Sequence, residues 1–115
     1  MTQIFAISVF GHRVSSRLDC SETVLLVTID NGAVIQRHEV RWAHLSALEK
    51  IPFLVREGVT LLICGGLTET CANVLHDSHV QVVSWVRGEV EDVLVQFLHG
   101  RLRTDESHQD NKVST

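Results

Sequence analysis

Leu61-Leu62-Ile63-Cys64-Gly65-Gly66-Leu67-Thr68-Glu69-Thr70-Cys71-Ala72-Asn73-Val74-Leu75 reads as an apolar strand, a turn through two glycines, and a helix that starts at once. The glycines let the backbone turn sharply and come close to a neighbouring group. The first N–H groups of the following helix lack intrahelical acceptors and favour negative charge. A thiol at Cys64 beside such donors suits a soft, anionic ligand. The same residues also make an ordinary tight turn, with Cys64 as a small buried hydrophobe.

Working outward, residues 59–64 form the strand before this turn, and Gly58 ends the helix before it. In that helix Leu45, Leu48, Ile51 and Val55 follow helical spacing, but Pro52 cannot donate its N–H, so the well-formed part is expected to start near Pro52. Thr68 caps the helix after the turn, Glu69 sits in its first turn, and Cys71, Val74, Leu75 and Ser78 share one face. Residues 80–83 are a short strand. Gly88 precedes Glu89, Glu91 and Asp92, acids suited to a helix start. Val90, Val93, Leu94, Phe97 and Leu98 then form an apolar stripe that Gly100 closes.

In the first half, residues 4–10 are apolar enough for a strand buried on both faces, followed by a polar loop to about Ser21. Residues 23–29 are rich in β-branched side chains, and Asp30-Asn31-Gly32 signals a hairpin into residues 33–40. The order βββαβαβα with a leading meander predicts a mixed five-stranded sheet in the order 3-2-1-4-5. Ligands of open sheets bind at the carboxyl ends of strands where the winding reverses, here between strands one and four. The loop with His12 and Cys20, the segment from Trp42 to His44, the Cys64-Gly65-Gly66 turn and the loop from Ser84 to Arg87 are expected to meet there.

Composition bounds the function. The 115 residues fit one domain, taken as 1–103, with a polar tail over 104–115 expected to be disordered. Hydrophobic residues make up 44% against 21% charged, and the net charge is −4 with scattered arginines, which argues against non-specific nucleic-acid binding. No apolar run reaches the length of a membrane span, and the N-terminus does not resemble a signal peptide, so a cytoplasmic protein is expected. Three cysteines, Cys20, Cys64 and Cys71, without zinc spacing point to reduced thiols.

The run Gly58-Val59-Thr60-Leu61-Leu62-Ile63-Cys64-Gly65-Gly66-Leu67 resembles a G-V-x-x-(V/L)-I-C-G-G-(I/L) motif. Gly88-Glu89-Val90-Glu91-Asp92-Val93 and Phe97-Leu98-His99-Gly100-Arg101-Leu102 resemble the closing helix of the same family, that of the dinitrogenase iron-molybdenum cofactor. The resemblance implies a ribonuclease-H-like three-layer α/β domain with helices on both faces. It also implies a non-catalytic function: binding, carrying or storing an anionic metal–sulfur cluster, whether iron–sulfur, iron–molybdenum or another molybdenum cluster. The partners it implies are cofactor-assembly or acceptor proteins, with neither nucleic acid nor membrane among them. Many relatives carry S-x-H-F-G in the first loop, whereas this chain has Ser15-Ser16-Arg17-Leu18-Asp19, so Arg17 stands where they have histidine. Arginine pairs with an anionic cluster but does not ligate metal while protonated.

The candidate site residues are therefore Cys20 and Cys64 as metal ligands, with Gly65, Gly66, Arg17, His44 and His12 around the cluster. Cys20 lies near Arg17 in a polar loop, a setting that favours thiolate, though it is equally an exposed loop cysteine. Cys64 can point into the core instead, and Cys71, beside Val74 and Leu75, reads as a buried thiol. His12 and His44 fall near the crevice and can equally be packing or surface residues. The alternative function is an interaction or regulatory module of the same fold that has lost the cluster. A hydrolase is discarded: residues 4–10 carry no acid for a two-metal site, and neither a nucleophile elbow nor a Walker lysine is present.

Overall fold

The computed structural model describes residues 2–100. The elements are β1 (Thr2–Phe10), β2 (Arg13–Val14), a 3-10 turn (Leu18–Cys20), β3 (Thr23–Asp30), β4 (Ala33–Arg41), α1 (Ala47–Arg56), β5 (Val59–Ile63), α2 (Glu69–Asp77), β6 (Gln81–Val83) and α3 (Val90–Leu98). The main strands order as β4-β3-β1-β5-β6, which is the expected 3-2-1-4-5. β1 runs antiparallel to β3 and parallel to β5, so the winding reverses between β1 and β5. The expected disordered tail and the last two residues of the closing motif lie outside the described residues.

Alternation along β1 sends its side chains to two cores. Ala6 faces α1 and α2 with Leu26, Leu62, Ile51, Leu54 and Leu75, while Ile7 and Val9 face α3 with Val27, Ile63, Val93 and Leu94. The result is the three-layer arrangement with helices on both faces. Asn31 and Gly32, both at positive φ, make the tight turn between β3 and β4.

Two local expectations are corrected. The loop after β1 begins with a hairpin: Gly11-His12 turns the chain so that β2 pairs back onto Val9 and Phe10. Helix α1 starts at Ala47, well before Pro52, because Ser46 and Glu49 form a capping box: Glu49 N–H donates to Ser46 Oγ at 3.2 Å and Ser46 N–H donates to Glu49 Oε1 at 2.8 Å. That backbone bond holds the Glu49 carboxyl below its usual pKa. Pro52 is accommodated on the exposed face, where water can serve the Leu48 carbonyl that the ring leaves without a donor. Pro52→Ala is accordingly expected to stabilise the fold by about 1 kcal/mol, read as a higher denaturant midpoint.

Candidate functional site

The sheet's carboxyl edge is built around the double-glycine turn. Gly66 N–H donates to the Ser16 carbonyl at 2.7 Å, and Leu18 N–H donates to the Gly66 carbonyl at 2.8 Å. The first loop and the turn therefore pair like a short parallel ladder, with Arg17 opposite Gly66. A Cβ on Gly65 would overlap the carbonyl oxygens of Ser15 and Ser16, so glycine is required there for the two backbones to meet. On the other side Trp85 N–H donates to the Gly65 carbonyl at 3.0 Å, and its ring covers Gly66, where a Cβ would lie 3.0 Å from it. The glycines thus serve chain-to-chain packing, and Gly66 N–H is already engaged.

Beside this junction a crevice of about 280 Å³ opens between the first loop and the starts of α1 and α2. Arg17, Leu18 and Asp19 form one wall, Ser46, Ala47 and Leu48 a second, and Gly66, Leu67, Thr68 and Cys71 a third. Two helix N-termini share the crevice, each with its cap in place: Ser46 for α1, and for α2 Thr68, whose Oγ1 accepts from Cys71 N–H at 3.1 Å. Their orphan N–H ends make the space attractive to an anion, while the leucines, Ala47 and the Cys71 thiol make its walls soft and apolar. Arg17 at the rim donates from Nε to Asp19 Oδ1 at 3.1 Å. That bond, with the guanidinium charge behind it, holds the Asp19 carboxyl below its ordinary pKa and raises Arg17 further. An anion recruited by Arg17 has to share it with Asp19.

The expected site residues divide. Arg17, Gly65 and Gly66 lie together at this junction, and the loop after β6 joins them through Trp85. Cys20 is exposed on the 3-10 turn, one residue beyond the crevice wall. Cys64 is fully buried and packs in the core beneath α1 and α2, which places its thiol away from the crevice surface. His44 is exposed ahead of α1 and does not line the crevice. His12 belongs to the opposite face: its carbonyl accepts from Val90 N–H at 3.0 Å at the start of α3. Among the described residues no three of His, Cys, Asp and Glu converge in a metal-holding cluster.

Two residues outside the expected site gain importance. Cys71 is 3% exposed, as its helical phase implies, yet it lines the crevice, because the crevice cuts into the same apolar face. Lys50, fully buried, donates from Nζ to the carbonyls of Leu18 at 3.0 Å and Ser21 at 3.1 Å, with that of Asp19 at 3.5 Å. Its ammonium lies 5.3 Å from the centre of the Trp42 ring, and burial lowers its pKa. Lys50 stands four residues before Leu54 on the buried stripe of α1, a position at which the pattern alone calls for an apolar side chain.

Comparison with known proteins agrees with this architecture. The profile of the family described as dinitrogenase iron-molybdenum cofactor matches residues 1–100. None of the curated proteins matches the sequence. Among solved structures, the crystal structure of PH0822 superposes with a TM-score of 0.82 at 21% identity, covering 90% of this chain and 95% of that one. The MJ0327 protein of Methanocaldococcus jannaschii gives a TM-score of 0.74 at 21% identity with the same coverage. The apo form of the orange protein from Desulfovibrio gigas gives 0.74 at 19% identity, over 89% of this chain and 92% of that one. At such identities the likeness establishes the fold.

Proposed function

The chain belongs to the dinitrogenase iron-molybdenum cofactor family, and we propose that it is a non-catalytic carrier that holds an anionic metal–sulfur cluster in the crevice between the first loop and the starts of α1 and α2. The observation that carries this is the convergence in one apolar space of two helix N-termini, the Arg17 guanidinium and the Cys71 thiol. The residues fit such a cargo. A sulfide-rich anion is large, polarisable and weakly hydrated, so apolar walls cost it little, while helix ends and an arginine meet its charge. When deprotonated, Cys71 supplies the soft donor that iron or molybdenum favours. In this reading Cys20, exposed one residue beyond the crevice wall, is the second thiolate or the handover group to an acceptor protein. Delivery requires only that the cluster be held weakly enough to leave, which suits one or two thiolates better than a closed ligand cage.

Anaerobic reconstitution followed by metal and sulfide analysis tests the proposal. The wild type is expected to retain cluster, with Cys71→Ser retaining little and Arg17→Glu weakening retention by about tenfold, since a charge-assisted contact becomes a repulsive one. Cys64→Ser is expected to lower stability and leave the cluster content of the folded protein unchanged. Equal retention in wild type and in the Cys20→Ser, Cys71→Ser double variant would remove thiolate ligation. A wild-type chain that takes up no cluster favours the interaction module.

A further inference from the structure

Lys50 is the one fully buried charge in the described part of the molecule, and the carrier function does not by itself require it. Its Nζ gives hydrogen bonds to backbone carbonyls, and among the described residues it forms no ion pair; the Asp19 carboxylate, bonded to Arg17, favours its charge only from a distance. Three carbonyls around one nitrogen match the three donors of an ammonium. Taking a cation into the interior without a counterion costs several kcal/mol. That burden is far larger than needed to satisfy three carbonyls, a task within reach of a neutral amide and a water.

The position of the charge explains what it can do. Leu18 and Asp19, whose carbonyls it holds, form one wall of the crevice, and Ala47, one turn earlier on α1, forms another. The ammonium therefore sits directly behind the corner where loop and helix meet, screened from solvent and fixed by its three acceptors and the Trp42 ring. We propose that Lys50 is the built-in countercharge of the crevice, a positioning residue that holds the first loop in place and selects ligands by charge, favouring a doubly charged anion over a singly charged one of the same shape. The inference rests on the crevice being the anion site. By linkage, an anion across the wall stabilises the buried cation, which Asp19 and Cys20 offset only from a distance, just as the cation strengthens binding of the anion.

Tetrathiomolybdate, a dianion, and tetrathiorhenate, a monoanion of the same tetrahedral form, separate charge from shape. Titrated against the wild type, the dianion is expected to bind tighter by on the order of tenfold. Lys50→Met and Lys50→Gln, with folding checked by circular dichroism, are expected to lower that ratio severalfold, leaving the smaller preference that Arg17 and the two helix ends supply. The glutamine variant retains hydrogen-bond donors, so its lowered ratio separates charge from loop support. An equal loss of affinity for both anions in the variants makes Lys50 a purely structural clamp and overturns the inference, as does a wild type that binds the two alike. Binding of neither anion overturns the crevice as an anion site, and the carrier reading with it. If the variants do not fold, the wild type decides: the protected ¹⁵N resonance of the Lys50 ammonium must shift further with the dianion than with the monoanion, and an unmoved resonance overturns the inference.

Discussion

Gly65→Ala is expected to be the most damaging single-methyl change in the molecule, costing about 3 kcal/mol or more, while the same change at the next residue, Gly66→Ala, costs less than about 1 kcal/mol. At Gly65 the added carbon meets the carbonyl oxygens of Ser15 and Ser16, both backbone atoms held by the pairing of the first loop with the turn. Relief requires the loop to move away, breaking the bonds from Gly66 N–H to Ser16 and from Leu18 N–H to Gly66 and opening the crevice wall. At Gly66 the nearest atoms are the rim of the Trp85 ring, and that side chain is free to swing because it is largely exposed. Urea unfolding of the two variants measures the contrast. Equal costs would show that the loop and turn are not locked together as described.

Trp42→Ala is expected to cost on the order of 3 to 5 kcal/mol, in the range of the largest core truncations. Trp42 is fully buried, stacks edge-on to Phe53 with ring centres 5.8 Å apart, and donates from Nε1 to Ser21 Oγ at 2.9 Å. Ser21 in turn accepts from Val9 N–H at 3.0 Å, so the indole secures the junction between the end of β1 and the start of β3. Removing it also strips the ring from beside the Lys50 ammonium. Trp42→Phe keeps most of the volume and loses the N–H, and is expected to cost about 1 to 2 kcal/mol. A Trp42→Ala variant within 1 kcal/mol of the wild type by equilibrium unfolding would contradict this account.

Strand order was legible because each strand carries its own signature: an apolar run for β1 and β5, β-branched residues for β3, and Asn31-Gly32 for the hairpin into β4. The cap at Thr68 and the turn at Gly65-Gly66 were legible for the same local reasons. Position six of a helix is an unusual place for proline, and the capping box at Ser46 and Glu49 that overrides it has to be weighed against the proline to be seen. The site was harder to read, since its walls come from three separated segments. A cysteine on a buried helix face and a cysteine lining a crevice have the same periodicity, so spacing alone does not show that Cys71 borders the crevice while Cys64 lies in the core. Lysine at an apolar position of α1 was the available signal for Lys50. Its meaning depends on carbonyls some thirty residues earlier in the chain, which only the fold brings to it.

The two tryptophans occupy opposite environments, Trp42 with no exposure and Trp85 at 74%, and the chain contains no tyrosine. Its near-ultraviolet fluorescence therefore separates into a blue-shifted emitter that aqueous iodide cannot reach and a red-shifted one that iodide quenches. The accessible emitter packs against Gly66, a residue that lines the crevice, so a visibly absorbing cluster bound there as proposed would lie within range for energy transfer. On the proposed function, loading and unloading would be readable as the dimming and return of the red-shifted band, with the interior indole as an internal reference for the integrity of the core.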